Sequence, residues 1–390
     1  MNILFVTGEL FPWKNGGPQV VVYHLVNKLI KKGVNVHIFA NSNRKMWEIY
    51  NHYDSRITFS LARKFSREGE INIQDLMFSQ VKFSKEFIEK GRKFDIIHFQ
   101  ILPAAKAILL PFVSKLWNKK CILTLHDWPP MEYKFYGKKL GRDIHWLFSR
   151  LNFSFIDYIV VNSRFMKKLA QKTNIGNSIT IIPNGVDHKQ WKTEGKAKLV
   201  GEVNAFFWGK LWPKKGVDIL IKSFSRILPL TKTNVHLYIA GLGPWMQEYQ
   251  KLTRQLNIDE KVHFLGFLPH EELVKYISAA DFCVLPSRWE GFGIAVLEAM
   301  CCKKLVVATN IGGVADIVND GHDGILVAPA SIKKLAQTML YIIKRRNSNE
   351  IKRIAENAYE TTKRFDWTEI ADRYIEVYES LLEERCVRTK

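Results

Sequence analysis

Short apolar runs recur along the chain. Each ends in a polar or glycine-bearing stretch, and many are followed by apolar residues at helical spacing. Residues 2–7 are apolar and predict a strand, and residues 8–18 a loop. From Val20 to Lys32 the apolar positions fall on one helical face and stop at Gly33, a residue suited to the turn that closes a helix. Residues 34–40 predict the next strand. Strand, loop, helix and strand in that order are the unit of a parallel sheet. The pattern continues with strands over 95–100, 121–127, 157–163 and 179–182, and then a turn at Pro183-Asn184-Gly185-Val186-Asp187. A second series follows, with strands over 203–208, 235–240, 262–268, 282–285 and 305–308, a final turn and strand over 321–328, and a helix over 217–228. Helical spacing returns over 331–346 and 367–385. Two such series in 390 residues predict an α/β protein of two domains.

The densest chemistry lies at residues 286–303. A strand ends at Pro286-Ser287, a loop holds Glu290, Gly291 and Gly293, and a breaker-free helical run begins at Ile294. Glycines at the mouth of a helix let backbone N–H groups approach a ligand closely. The helix start adds unpaired donors and the positive end of a dipole, a pairing suited to phosphate. Glu290 and Glu298, with seven residues between them, add carboxylates that accept from sugar hydroxyls. Phosphate and hydroxyl recognition together suggest a nucleotide-sugar. In open parallel sheets ligands sit beyond the carboxyl ends of strands, which directs His98 and His126 towards a cleft. A histidine there is equally a hydrogen-bonded structural residue.

Composition narrows the classes. An apolar share of 47% supplies full cores, while no apolar run approaches the ~20 residues of a spanning helix. The N-terminus lacks a basic leader region and reads as a first strand, so a cytoplasmic location is expected. Cys121, Cys283, Cys301, Cys302 and Cys386 form no C-x-x-C pair and are expected to be free thiols. The net charge is +20, and residues 1–190 carry +15 of it, with 29 Lys and Arg against 14 Asp and Glu. That excess suits solubility, an acidic acceptor or a peripheral contact with an anionic membrane at its inner face. No nucleic-acid-binding signature accompanies it. Residues 128–150 interleave Trp128, Tyr133, Phe135, Tyr136, Trp146 and Phe148 with lysines and arginines, a mixture that fits a membrane interface, a carbohydrate acceptor or a half-buried helix.

The 286–303 stretch resembles the E-x7-E segment of retaining glycosyltransferases of the GT-B fold, particularly glycosyltransferase family 4, in its E-G-F-G-x-x-x-x-E-A-M form. Other segments carry the same resemblance. Thr124-Leu125-His126-Asp127 is similar to the family's T-x-H-D, and Pro183 to Asp187 to its P-N-G-V-D turn, which places the domain boundary there. Gly241-Leu242-Gly243 is similar to its A-G-x-G turn, and residues 262–268 resemble the strand and loop that read the base. The G-R-L-x-x-x-K-G pattern is met at Lys215 but departs at Lys210, where arginine is expected. Lysine keeps the charge and loses the bidentate grip of a guanidinium. The loop Lys14-Asn15-Gly16-Gly17 resembles the G-G loop of GT-B enzymes and also the K-x-G-G of glycogen and starch synthases.

The resemblance implies a GT-B fold of two Rossmann-like domains facing a central cleft. Residues 1–186 form the acceptor side, 187–366 bind the nucleotide-sugar, and the helix from 367 packs back on the first domain. It implies Glu290 at a hydroxyl of the transferred sugar, Glu298 at the ribose and His126 at the sugar. Lys210 and Lys215 fall at the diphosphate, with the backbone at Gly16, Gly17, Phe292, Gly293, Ile294 and Ala295. Gly241 and Phe267 fall near the nucleotide. The reaction implied is hexose transfer with retention to a lipid-linked, glycan or small-molecule acceptor. No Asp-x-Asp stands at a strand end, so no metal cofactor is expected. Two readings stand beside it: a glucan synthase extending an α-glucan, and a non-catalytic glycan- or membrane-binding protein on a GT-B scaffold.

Overall fold

The structure, a computed structural model, describes residues 1–8, 10–11, 17–41, 49, 51–62, 85, 87–100, 110–128, 152–172, 178–193 and 195–388. The chain divides into two compact units, Met1–Asn184 with Trp367–Lys390, and Gly185–Asp366.

In the first unit, β1 (Asn2–Thr7), α1 (Gly17–Lys31), β2 (Asn35–Asn41), β3 (Thr58–Ala62), β4 (Ile96–Phe99), α2 (Leu110–Leu116), β5 (Lys120–Leu125), β6 (Tyr158–Val161), α3 (Arg164–Lys172) and β7 (Ser178–Ile181) follow in order. The strands form one sheet in the order β3-β2-β1-β4-β5-β6-β7. Every pairing is parallel, as between β1 and β2 and between β1 and β4. Strands of this kind are buried on both faces, which is why they read as continuous apolar runs. Helix α1 starts at Gly17, three residues ahead of the expected Val20, and Pro18 suits that first turn. Gly33 takes the left-handed φ of +83° that its place after α1 calls for.

The second unit repeats the plan with β8 (Val203–Trp208), α4 (Val217–Ile227), β9 (Val235–Ala240), α5 (Met246–Gln255), β10 (Val262–Gly266), α6 (His270–Ala279), β11 (Phe282–Leu285) and α7 (Ile294–Cys301). Then come β12 (Leu305–Thr309), α8 (Val314–Ile317), β13 (Ile325–Val327), α9 (Ile332–Arg345) and α10 (Asn349–Thr362). Its sheet runs β10-β9-β8-β11-β12-β13. In both sheets the first strand lies between its successor and a later strand, so the connections reverse direction there. Open α/β sheets bind ligands at that reversal, beyond the carboxyl ends of the strands.

The last helix, α11 (Trp367–Arg388), belongs to the first unit. It buries Trp367, Ala371, Tyr374, Tyr378 and Leu381, spaced three to four apart on one face. Trp367 stacks on His24 of α1 at 5.4 Å between ring centroids, and Lys32, just after α1, pairs with Asp372 at 2.7 Å. Tyr374 and Tyr378 reach further in, to the end of β4. Among the described residues no helix is long and apolar enough to cross a membrane.

Candidate functional site

In the second unit the expected residues gather at the reversal between β8 and β11. Chain leaving β8 makes a tight turn, Pro213–Lys215, and enters α4 through Gly216. Chain leaving β11 passes Ser287 and Glu290 and enters α7 through Gly293, whose φ is +104°. The two loops are tied together. Arg288 grips Asp218, in the first turn of α4, at 2.6 and 2.7 Å and donates to the Pro213 carbonyl at 2.8 Å. The Arg288 backbone N–H donates to the Lys214 carbonyl at 2.7 Å.

This clamp sets Lys215 against Glu290. Lys215 Nζ donates to Glu290 Oε2 at 2.5 Å, and the Ser287 hydroxyl reaches the same oxygen at 3.2 Å. Both ionic side chains keep about a fifth of their surface exposed, 22% and 19%, so the pair remains open to an incoming ligand. Behind it, a Cβ on Gly312 would collide with the Glu290 carbonyl oxygen, and Gly313 N–H donates to that oxygen at 3.3 Å. Gly312 therefore lets the loop after β12 back the Glu290 turn at close range.

Glu298 lies in the second turn of α7, and Trp208 at the end of β8 donates its indole N–H to Glu298 Oε2 at 2.8 Å. Burial raises the Glu298 carboxyl from its ordinary 4.5 to about 7, against the opposing pull of the Trp208 hydrogen bond and the Lys215 charge. A raised folded pKa means that the folded chain holds the proton longer than the unfolded one. Glu298 therefore withdraws stability as pH rises from about 4.5 to about 7. Hydroxyl ligands favour the ionised carboxyl, so nucleotide affinity is expected to strengthen through pH 7. Trp208→Phe removes the only donor to this carboxylate shown among the described residues and is expected to weaken nucleotide binding about ten- to a hundredfold, the worth of one hydrogen bond to a charged group. Calorimetric titrations at pH 6 and 8 check both effects; an affinity indifferent to pH and to the substitution would remove Glu298 from the site.

The remaining second-unit residues stand around this cluster. Lys210 is exposed just beyond β8. Gly241 closes β9 with φ +130° and donates to the Gly266 carbonyl at 2.6 Å. Phe267 follows β10 with 53% of its surface exposed, Phe292 is buried, and Ile294 and Ala295 head α7.

In the first unit, Gly17 begins α1. Lys14, Gly16 and the aromatic and basic residues over 129–150 lie outside the described residues. His126 follows β5, and its Nε2 bonds Gln100 Oε1 at 2.8 Å. His98 does not reach a surface. It is fully buried, with Nδ1 at 2.8 Å from the Tyr378 hydroxyl and Nε2 at 2.8 Å from the Thr124 hydroxyl. Of the two readings open to His98 in the sequence, the hydrogen-bonded structural one holds. Trp208, Ser287, Gln100 and Gly312 are additions from the structure. Only their positions just after or at the ends of strands hint at them, since the partners of Trp208 and Gly312 and the His126 partner of Gln100 lie well away in the chain.

Among the described residues, no group of three or more His, Cys, Asp or Glu side chains is gathered as a metal site would require. The cluster as it stands offers Lys215, a helix start and two carboxylates in different environments, with Lys210 on the loop after β8, a set able to hold diphosphate and sugar hydroxyls together.

Comparisons with known proteins point to glycosyltransferases. Residues 15–190 match the family model "Glycosyltransferase Family 4", and residues 189–361 match "Glycosyl transferases group 1". The chain is 30% identical over 226 residues to an uncharacterized glycosyltransferase of Methanocaldococcus jannaschii, covering 58% of this chain and 60% of that one. It is 30% identical over 200 residues to the glycogen synthase of Mycobacterium tuberculosis, covering 51% and 48%. The chain thus spans about half to three fifths of the length of these two relatives. In fold it is similar to the Anabaena HepE protein solved in complex with UDP and glucose, with a TM-score of 0.76 at 20% identity over 97% of this chain and 99% of that one.

Proposed function

We propose that this chain, a glycosyltransferase of GT-B type whose halves match glycosyltransferase family 4 and glycosyl transferases group 1, moves a hexose from a nucleoside-diphosphate sugar to a hydroxyl acceptor with retention. One observation carries the reading: Lys215 and Glu290 meet at 2.5 Å on the loops after β8 and β11, where Trp208 also holds Glu298. A cation and a carboxylate that neutralise each other in the ligand-free protein are matched to a ligand with both phosphate and hydroxyls. On binding, Lys215 turns to the diphosphate, Glu290 accepts from a hydroxyl of the transferred sugar, and Glu298 accepts from the ribose. HepE, a relative in fold, was solved with UDP and glucose, which fits a donor of this class.

In the transfer step, the bond between the anomeric carbon and the leaving phosphate oxygen breaks. The acceptor oxygen bonds to the same face of that carbon, and its proton passes to the departing phosphate. Retaining enzymes with a nucleophilic carboxylate use another route, but here the two candidate carboxylates are assigned to hydroxyls. The negative charge growing on the leaving diphosphate is met by Lys215, Lys210 and the N–H groups at the start of α7, a stabilisation felt most in the transition state. In this proposal the role at the transferred sugar suggested for His126 by family resemblance is kept.

The test is turnover of UDP-, GDP- and ADP-sugars by the purified protein with simple glycosides as acceptors, with the anomeric configuration of the product read by NMR. An α-product from an α-donor supports the reading; absence of turnover and of nucleotide binding across the panel overturns it. Lys210→Arg restores the arginine expected at that position, and the variant is expected to keep or raise kcat because a guanidinium holds diphosphate bidentately. A severe loss in the same assay would mean that Lys210 does not face phosphate.

A second reading, elongation of an α-glucan, rests on the similarity to glycogen synthase. Chain growth on a maltooligosaccharide primer would favour it over transfer to a single acceptor.

A further inference from the structure

The first unit contains a buried hydrogen-bond chain that the transfer chemistry described above leaves unused. It starts on α11, where the Tyr378 hydroxyl lies 2.8 Å from His98 Nδ1. His98 Nε2 is 3.0 Å from the Gln100 amide nitrogen. Gln100 Oε1 is 2.8 Å from His126 Nε2. His98 and Tyr378 are fully buried and Gln100 is 1% exposed, so no link of the chain is exchanged for water. The Thr124 hydroxyl touches His98 Nε2 from the side and lies 3.2 Å from the Tyr374 hydroxyl.

One atom is left over. His126 Nδ1 is buried and has no hydrogen-bond partner among the described residues. An imidazole has two distinct nitrogens, and the bond made by one decides what the other can do. Gln100 presents its carbonyl oxygen to His126, so His126 Nε2 carries the proton and Nδ1 keeps a lone pair. The Gln100 amide group then donates to His98 Nε2, and His98 Nδ1–H donates to Tyr378. The inverted chain would place a proton on His126 Nδ1 with no acceptor. A buried N–H without a partner is rarer and costlier than an unshared lone pair, which favours the first arrangement.

We propose that Gln100, anchored through His98 by the Tyr378 hydroxyl of the C-terminal helix, is a positioning residue that fixes His126 in the Nε2–H tautomer and so makes Nδ1 an acceptor for a sugar hydroxyl. The inference rests on the sugar-contact role given to His126 in the proposed function. Burial keeps both rings neutral, lowering His126 to about 4 and His98 to about 3, so the tautomer rather than the charge is what the chain controls. The hydroxyl ligand would donate to Nδ1, which orients it without transferring a proton to the ring.

The test is long-range 1H–15N NMR of the full chain with labelled histidines, with the His126 signals identified by their loss in His126→Ala. The wild type is expected to show a protonated Nε2 and a bare Nδ1 at His126. Gln100→Leu should scramble the two, and Gln100→Glu, which keeps an acceptor towards His126, should restore the pattern. Tyr378→Phe serves should Gln100→Leu fail to fold. It frees His98 to turn its tautomer and should introduce the second His126 form from two links away, which a purely structural hydroxyl would not do. Transfer assays should show kcat reduced about tenfold in Gln100→Leu with KM changed less, the worth of one misdirected hydrogen bond. A protonated Nδ1 in the wild type, or a His126 pattern unmoved by all three substitutions, overturns the proposal while leaving the transferase reading intact. Unimpaired transfer by His126→Ala instead removes His126 from the sugar, and with it the purpose assigned to the chain.

Discussion

Glu290→Gln is expected to lower kcat about 100- to 1,000-fold, the loss seen when one fixed electrostatic contact at a reacting centre is removed. Glutamine keeps the size of the side chain and can still meet the Ser287 hydroxyl. It cannot neutralise Lys215, which sits 2.5 Å away, nor make a charge-assisted bond to a sugar hydroxyl. Stability should barely change, because the Lys215–Glu290 pair is part exposed and pairs of that kind contribute only about 0–1 kcal/mol. Initial rates with saturating donor, set beside a melting curve, separate the two effects. Turnover within a factor of a few of the wild type would take Glu290 out of the reaction.

Gly216→Ala is expected to be among the most damaging single-methyl changes near the site. Gly216 has a φ of +69°, and a Cβ there would collide with the Pro286 carbonyl oxygen at the end of β11. Left-handed backbone costs a non-glycine residue about 1–2 kcal/mol. Forcing an extra carbon into packed surroundings costs about 1–3 kcal/mol more. A summed loss of about 2–5 kcal/mol should lower the melting temperature of the second unit by about 4–20 °C. Relief of the clash pushes the Lys215 turn away from the Glu290 loop, so activity should fall even where the protein stays folded. A melting curve unchanged from the wild type would mean that the two loops are not held as close as described.

The sheets were legible in the sequence because their strands are buried on both faces. Residues 282–285 are an unbroken apolar run and residues 235–240 are apolar but for His236, and β9 and β11 begin and end on them. Strand β3 is harder to read, because Thr58-Phe-Ser-Leu-Ala is short, sits at the sheet edge and mixes polar with apolar residues. Helix α5 is dominated by polar residues, with only Tyr249 and Thr253 buried, so it lacks the apolar stripe that marked α1. At the site, the E-G-F-G segment pointed to Glu290 and Glu298 because both lie within one loop and one helix. What it could not carry was the environment of each. Trp208 is 90 residues from Glu298, and Tyr378 is 280 residues from His98. Side-chain bonds across such separations depend on the strand order, and nothing in a local pattern records that order. Gln100 looked like any polar residue at a strand end until the fold put His98 on one side of it and His126 on the other.

The loops after β8 and β11 are proposed to hold a nucleoside diphosphate. Calorimetric titration of UDP, GDP and ADP into the wild type and into Lys215→Met tests it most directly. One of the three nucleotides should bind at a single site, with affinity rising between pH 6 and 8 as Glu298 ionises, and Lys215→Met should weaken it at least tenfold, the worth of one charge-assisted contact. Binding of none of the three, or binding equally tight in Lys215→Met, would contradict the account.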